Sequence, residues 1–231
     1  MGRTKFHGRR TGAFIFDLDG TLVNTAKDIA ISANFTRIYF ELPEIPEAVA
    51  VRYIGDGVEK LLQRMLCHDK RQTNPDEIVE GIAVFSEHYG NHLLDNSAPY
   101  PGVLPTLEYF RHLPIMVATN KPSEFTSKIL ESFNITPTFR KIVAGDDVVR
   151  KKPDPEMLIK CMKGLDIAPS DVVMVGDHPN DIIAAREYGA MSVGCLYGLV
   201  DPDVVKSEKP DLTIENFSEL KTLFPSFDTL E

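Results

Sequence analysis

Two aspartates, Asp17 and Asp19, stand one residue apart at the end of the apolar run Ala13-Phe14-Ile15-Phe16 and are followed at once by Gly20 and Thr21. A carboxylate so placed can serve as a covalent nucleophile or as a ligand for a hard cation, and a second one beside it can carry a proton. The same Asp-x-Asp-Gly pattern also suits a solvated turn, so the pair takes its meaning from what accompanies it. Further along, apolar runs end in Thr119-Asn120 and in Gly176-Asp177, with Asp181 four residues on, and Lys152 stands in Lys151-Lys152-Pro153-Asp154 ahead of a helical pattern. Acids, hydroxyl and amide donors and one lysine gathered on a single edge describe a magnesium-assisted phosphoryl-transfer site. A phosphate dianion repels an attacking carboxylate, and a cation together with a lysine answers that repulsion.

Those residues need a scaffold that brings strand ends together. After the first apolar run, residues 24–96 read as helical throughout. Ile29, Ala33, Ile38 and Phe40 suggest one helical face, Val58, Leu61, Leu62, Met65 and Leu66 a second, and Ile78, Ile82, Phe85, Tyr89 and Leu93 a third, opened by Asn74 as cap, Pro75 and Glu77. Pro99-Tyr100-Pro101-Gly102 is a stiff connection, after which strands return. Helices at 103–112, 123–133, 155–165 and 180–188 alternate with strands at 115–118, 141–144, 172–175, 192–195 and 212–214, and a terminal helix follows. Alternation of this kind predicts an α/β fold with a doubly wound parallel sheet, Rossmann-like, carrying an inserted all-helical domain. The expected division is a core of residues 1–23 and 97–231 with a helical cap of 24–96.

Composition narrows the partners. The 231 residues are 43% hydrophobic, enough for a sizeable core, and carry a formal net charge of −9, which argues against nucleic acid or an anionic membrane. Cys67, Cys161 and Cys195 are odd in number and scattered, which suggests reduced core thiols rather than disulfides or a thiolate metal site. No run approaches the about 20 apolar residues of a membrane span, and a cytoplasmic protein, monomer or homodimer, is expected. The basic leader, residues 1–12, reads as a frayed terminus.

Taken in order, Asp17-Leu18-Asp19-Gly20-Thr21, Thr119-Asn120, Lys152-Pro153 and Gly176-Asp177 with Asp181 resemble the four motifs of the haloacid dehalogenase superfamily in its phosphatase branch, with the helical cap inserted after the first motif. The resemblance implies that Asp17 is the nucleophile, forming an aspartyl-phosphate, and that Asp19 protonates the leaving oxygen and then deprotonates water. It implies that Asp17, the backbone carbonyl of Asp19 and Asp177 hold Mg2+, with Asp181 orienting that site. Thr119 and Asn120 would bind the transferring phosphoryl oxygens, Lys152 would bridge nucleophile and phosphate, Gly20 would let the backbone approach, and Thr21 would buttress the loop at the substrate.

Within the superfamily, Tyr53-Ile54-Gly55-Asp56-Gly57 and Pro99-Tyr100-Pro101-Gly102-Val103 are similar to the phosphoglycolate phosphatase group. A small phosphorylated metabolite, 2-phosphoglycolate first, is therefore the expected substrate. Pyrophosphate, nucleotide and sugar-phosphate phosphatases are alternatives on the same scaffold. A phosphonatase would need a cap lysine, for which only Lys27 or Lys60 can be nominated, and a phosphomutase or a non-catalytic binding protein ranks lower. Gly55, Asp56 and Gly57 are expected to reach the substrate from the cap, a helix-helix turn being the plain reading. Arg52, Lys60 and Arg64 are the basic candidates for a glycolate carboxylate, though each also reads as a solvated helix charge. His178, the pair His88 and His92, and Asp146 with Asp147 are read as capping, polar or loop residues rather than metal ligands.

Overall fold

Ala13, Phe14, Ile15 and Phe16 are wholly shielded from solvent, the burial of a central strand covered on both faces. In the computed structural model, which describes residues 11–225, they form β1 (Ala13–Phe16), followed by the short β2 (Val23–Asn24). Four helices come next, α1 (Ala26–Tyr39), α2 (Glu47–Ala50), α3 (Val58–Leu66) and α4 (Pro75–His92). The chain returns through β3 (Ala98–Pro99) and α5 (Val103–Tyr109), β4 (Ile115–Ala118), α6 (Ser123–Ser132) and β5 (Lys141–Val143). It closes with α7 (Glu156–Met162), β6 (Val172–Gly176), α8 (Pro179–Tyr188), β7 (Met191–Cys195), α9 (Pro202–Ser207), β8 (Leu212–Ile214) and α10 (Leu220–Leu223). The first ten residues of the basic leader lie outside the described residues.

Six strands form one sheet in the order β5-β4-β1-β6-β7-β8, every neighbouring pair parallel. The fold is therefore α/β with a parallel sheet, as expected. Successive side chains of β1 serve opposite faces: Phe14 and Phe16 join the core that holds Phe110 and Phe217, while Ala13 and Ile15 pack with Met157, Leu158 and Ala185 of α7 and α8. From β1 the chain winds outward to β4 and β5, and from β6 it winds the opposite way to β7 and β8. The β1–β6 boundary is thus the switch point of the sheet, where carboxyl ends open a crevice.

The helical block departs from the expectation in two places. It is not helical throughout, since residues 42–46 carry no helix and a further loop separates α3 from α4. Ile38, expected to face inward, is 54% exposed, and Arg37 is wholly buried instead. Ile38 lies nine residues beyond Ile29, which at about 100° per residue is half a turn out of phase. Arg37 is accommodated because its guanidinium donates to the carbonyls of Pro43 and Met65 and pairs with Asp69. The Asn74–Glu77 cap forms in both directions, with Glu77 N donating to Asn74 Oδ1 at 2.8 Å and Asn74 N to Glu77 Oε2 at 3.1 Å.

Both passages between the helical block and the sheet run side by side. β2 pairs antiparallel with β3, matching Val23 with Pro99 and Asn24 with Ala98. Asp28, at the start of α1, accepts from the backbone N–H of Asn96 and Ser97 and from both of their side chains. Among the described residues no helix is long and apolar enough to cross a membrane.

Candidate active site

At the switch point β1 delivers Asp17 and β6 delivers Asp177, while the first turn of α8 carries Asp181. One carboxylate oxygen from each lies within 4.8 Å of the others, and all three residues are buried. Lys152, also buried, sits 2.9 Å from Asp17 Oδ1 and 2.6 Å from Asp181 Oδ1, and donates to the carbonyl of Ala118 at 2.7 Å. Asp177 is held by the Thr21 hydroxyl at 3.0 Å and the Leu199 N–H at 2.7 Å. Besides Lys152, Asp181 accepts from the His178 N–H at 3.0 Å.

Three buried acids face one ammonium, and the imbalance appears in their protonation. Burial pushes the Asp17 carboxyl up to about 6, with Lys152 opposing and Asp181 adding to the rise. Burial, then Asp17 and Asp181, hold Asp177 well above the usual carboxylate range. Burial alone would depress the Lys152 ammonium, but Asp17 and Asp181 outweigh it and raise its pKa. Asp17 Oδ1, although close to Lys152, receives no aligned hydrogen bond. Excess buried negative charge and an orphaned carboxylate oxygen make a donor set suited to an oxygen-liganded dication.

Asp19 points away from this cluster. Its Oδ1 accepts from the Thr25 hydroxyl at 2.6 Å, and Lys121 Nζ lies 3.0 and 3.2 Å from its two oxygens. Lys121 in turn donates to the phenol oxygen of Tyr89, on α4, at 2.7 Å. Burial would lower the Lys121 pKa, but Asp19 and Tyr89 raise it, and burial pushes the Tyr89 phenol up to about 12. Neither residue stands out in the sequence. Lys121 directly follows Thr119-Asn120, and Tyr89 lies on an apolar stripe, where its hydroxyl is the one polar signal.

The remaining expected residues fall into two groups. Thr119, Gly55 and Gly57 line the same cavity as Asp17, Asp19 and Asp177. Gly20 has φ +80° and Gly55 φ +120°, and a Cβ at either would run into the Asp177 carboxylate or the His178 ring, so neither position accepts a side chain. Thr21, expected at the substrate, is fully buried and bonded to Asp177, so it supports that acid from behind. Asn120 Oδ1 accepts from Lys152 N at 3.0 Å, and its Nδ2 donates to the carbonyls of Lys152 and Gly55 at 3.0 and 2.9 Å. Asn120 lines the cavity as well, but both amide protons of its side chain are committed to carbonyls, so that side chain anchors the lysine loop and ties the helical block to the sheet edge.

Asp56 is likewise committed elsewhere. It accepts from Asn180 at 2.7 Å and pairs with Arg64 at 2.5 Å. Burial would raise its carboxyl, but those bonds hold it below the usual range. Arg64 is thus occupied, Arg52, Lys60 and Lys27 are exposed, and none of the four lines the cavity. His178 caps α8 through Nδ1, which accepts from Asn180 N, and burial lowers its pKa. His88, expected as an exposed polar position, is half-buried in α4 and bonds Ser32, His92 bonds Asp95, and Asp146 and Asp147 accept from Ser123 and Ala144 in loops.

Comparison with known proteins bears on the arrangement as a whole. The family model of haloacid dehalogenase-like hydrolases matches residues 14–195. The chain belongs to that family. This hydrolase is 35% identical over 214 residues to a phosphoglycolate phosphatase of Pasteurella multocida, covering 90% of this chain and 96% of the relative. It is 34% identical over 214 residues to a phosphoglycolate phosphatase of Chromobacterium violaceum, covering 91% and 95%. A crystal structure of a predicted phosphoglycolate phosphatase from Haemophilus somnus 129pt superimposes with a TM-score of 0.86 at 31% identity, covering 92% of the hydrolase and 97% of that chain.

Proposed function

We propose that the hydrolase is a magnesium-dependent phosphomonoesterase that works through an aspartyl-phosphate on Asp17 and takes 2-phosphoglycolate as substrate. The observation that carries this reading is the divergence of the two aspartates. Asp17 is buried among Asp177, Asp181 and Lys152, whereas Asp19 faces Thr25 and Lys121. Two carboxylates in such unlike surroundings are suited to divided tasks.

Asp17 attacks phosphorus in line, and the P–O bond to the leaving group breaks as Asp19 gives that oxygen its proton. Asp19 then removes a proton from water, whose oxygen displaces the Asp17 carboxylate and releases inorganic phosphate. Lys152 offsets the charge of the equatorial oxygens and of Asp17 itself. Gly20 keeps the loop clear beside Asp177, and Thr119 borders the path of the phosphoryl group. Asp17, Asp177 and Asp181, with the carbonyl of Asp19, would hold Mg2+, which supplies the positive charge that lets an anion attack a phosphate dianion. The helical block, residues 24–96, acts as a cap over the cavity, and the substrate assignment draws on the two relatives named above.

Phosphate release from a panel tests the reading, with 2-phosphoglycolate set against pyrophosphate, nucleoside monophosphates and hexose phosphates, each with Mg2+ and with chelator. The expected preference for 2-phosphoglycolate in kcat/KM is at least about tenfold, or ~1.4 kcal/mol. A smaller preference removes the substrate assignment. Absence of magnesium-dependent turnover on every ester removes the activity.

Metal binding should also depend on pH in a stated direction. Asp17 titrates at about 6 in the folded protein, against an ordinary value of about 3.9. Between those values the folded state holds a proton that the unfolded chain has lost, so metal-free stability falls as pH rises through the window. Mg2+ needs the carboxylate form, so the increase in Tm that it produces should be small near about pH 5 and larger near about pH 7. Equal increments at the two values would contradict it.

A further inference from the structure

We propose that Lys121 and Tyr89 form a carboxylate-binding subsite for the leaving group, one that selects phosphomonoesters bearing a carboxylate on the carbon next to the ester oxygen. The assignment rests on the phosphatase reading above and gives that site its substrate class. Beyond Asp19 the cavity wall is largely apolar, with Leu61 and Phe85 on one side and Pro122 and Phe125 on the other. Among the described residues Lys121 is the only lysine or arginine that lines it. A second negative charge on a substrate therefore meets one lysine and no arginine among the described lining residues.

The hydrogen-bond inventory leaves donors for that charge. Lys121 has three N–H groups, and its partners are Asp19 and the Tyr89 oxygen. Two of the three bonds go to the oxygens of the one Asp19 carboxylate, so a substrate oxygen can take one of them while Asp19 keeps the other. Tyr89 accepts from Lys121, so its own O–H is uncommitted. The two heavy atoms are 2.7 Å apart and both residues line the cavity, an arrangement able to offer adjacent donors to the two oxygens of one carboxylate. The Tyr89 ring cannot swing away. It stacks on Phe85 with centroids 5.2 Å apart and meets Phe125 edge-on at 5.0 Å.

Reach decides which carboxylates qualify. Asp19 delivers a proton to the ester oxygen, and Lys121 Nζ is 3.0 Å from Asp19. A carboxylate on the adjoining carbon stands two bonds from that oxygen, close enough to meet the same nitrogen. While Asp19 carries its proton it is neutral, and the charge of Lys121 then faces the substrate. An alkyl leaving group would instead offer the buried Tyr89 O–H no acceptor and the Lys121 charge no second anion, which disfavours it. Because Tyr89 comes from α4, the subsite is complete only when the helical block sits over the sheet edge.

The test compares 2-phosphoglycolate with ethyl phosphate, in which a methyl group replaces the carboxylate, by kcat/KM in the wild type, Tyr89→Phe and Lys121→Met. The wild type is expected to prefer 2-phosphoglycolate by about a hundredfold, and the preference should fall by about tenfold or more in each variant. Loss of Lys121 also disturbs Asp19 and slows both substrates, but that effect divides out of the ratio. Tyr89→Phe keeps the Lys121–Asp19 pair and the ring packing, so it remains informative if Lys121→Met folds poorly. A ratio within about threefold of wild type in both variants overturns the subsite, and a larger fall in either supports it. Failure of the wild type to hydrolyse 2-phosphoglycolate while another ester of the panel turns over would overturn the substrate assignment and the subsite with it, whereas no turnover of any ester would overturn the phosphatase reading.

Discussion

Asp17→Asn should lower turnover by about ten-thousand-fold or more while the protein stays folded, because it removes the carboxylate proposed to bond covalently to phosphorus. The amide has nearly the shape of the acid but cannot displace an alkoxide, and Asp19, turned toward Lys121 and Thr25, is not positioned to take over. Folding should not suffer. Asp17 is 8% exposed, and burial already pushes its carboxyl up to about 6, so near neutral pH the wild type keeps a charge there that its surroundings oppose. The variant should therefore melt, without metal, at or above the wild-type temperature. Residual turnover within about tenfold of wild type would remove Asp17 from the chemistry.

Lys152→Met is expected to damage both activity and stability. Lys152 is the counter-ion of Asp17 and Asp181 and also fixes the Ala118 carbonyl at the end of β4. Truncating one partner of a buried ion pair leaves uncompensated charge and costs about 3–5 kcal/mol, readable from urea denaturation of the metal-free protein. Loss of a positive group beside the transferring phosphoryl should lower kcat by about a further hundred- to thousandfold, measured on protein shown to be folded. Wild-type kcat in a destabilised variant would mean that Lys152 only holds the loop. Asn120→Ala bears on the same loop, since Asn120 bonds both the N–H and the carbonyl of Lys152.

The strand ends could be read from the chain because a parallel sheet covered on both faces demands unbroken apolar runs, and Ala13–Phe16, Ile115–Ala118 and Val172–Gly176 supply them. Asp17 and Asp177 directly follow the first and last of these runs, so their place at the sheet edge is set by position alone. What could not be read depends on contacts between distant residues. Tyr89 meets Lys121 across 32 positions and Asp56 meets Asn180 across 124, and nothing in either local pattern announces the pairing. Asn120 and Thr21 kept their places, but their side chains turned to Lys152 and Asp177, a choice made by packing. Ile38 is different, because nine residues of helix from Ile29 already argue against an inward face.

The most direct measurement concerns the Asp17 carboxylate itself. During steady-state hydrolysis of 2-phosphoglycolate with Mg2+, rapid acid quenching followed by borohydride reduction converts an acyl-phosphate to the corresponding alcohol, which peptide mass spectrometry locates. Homoserine at position 17, dependent on substrate and absent from Asp17→Asn, is the predicted result. Phosphate release with no reduced residue at position 17, or with the modification at another side chain, would contradict a covalent role for Asp17.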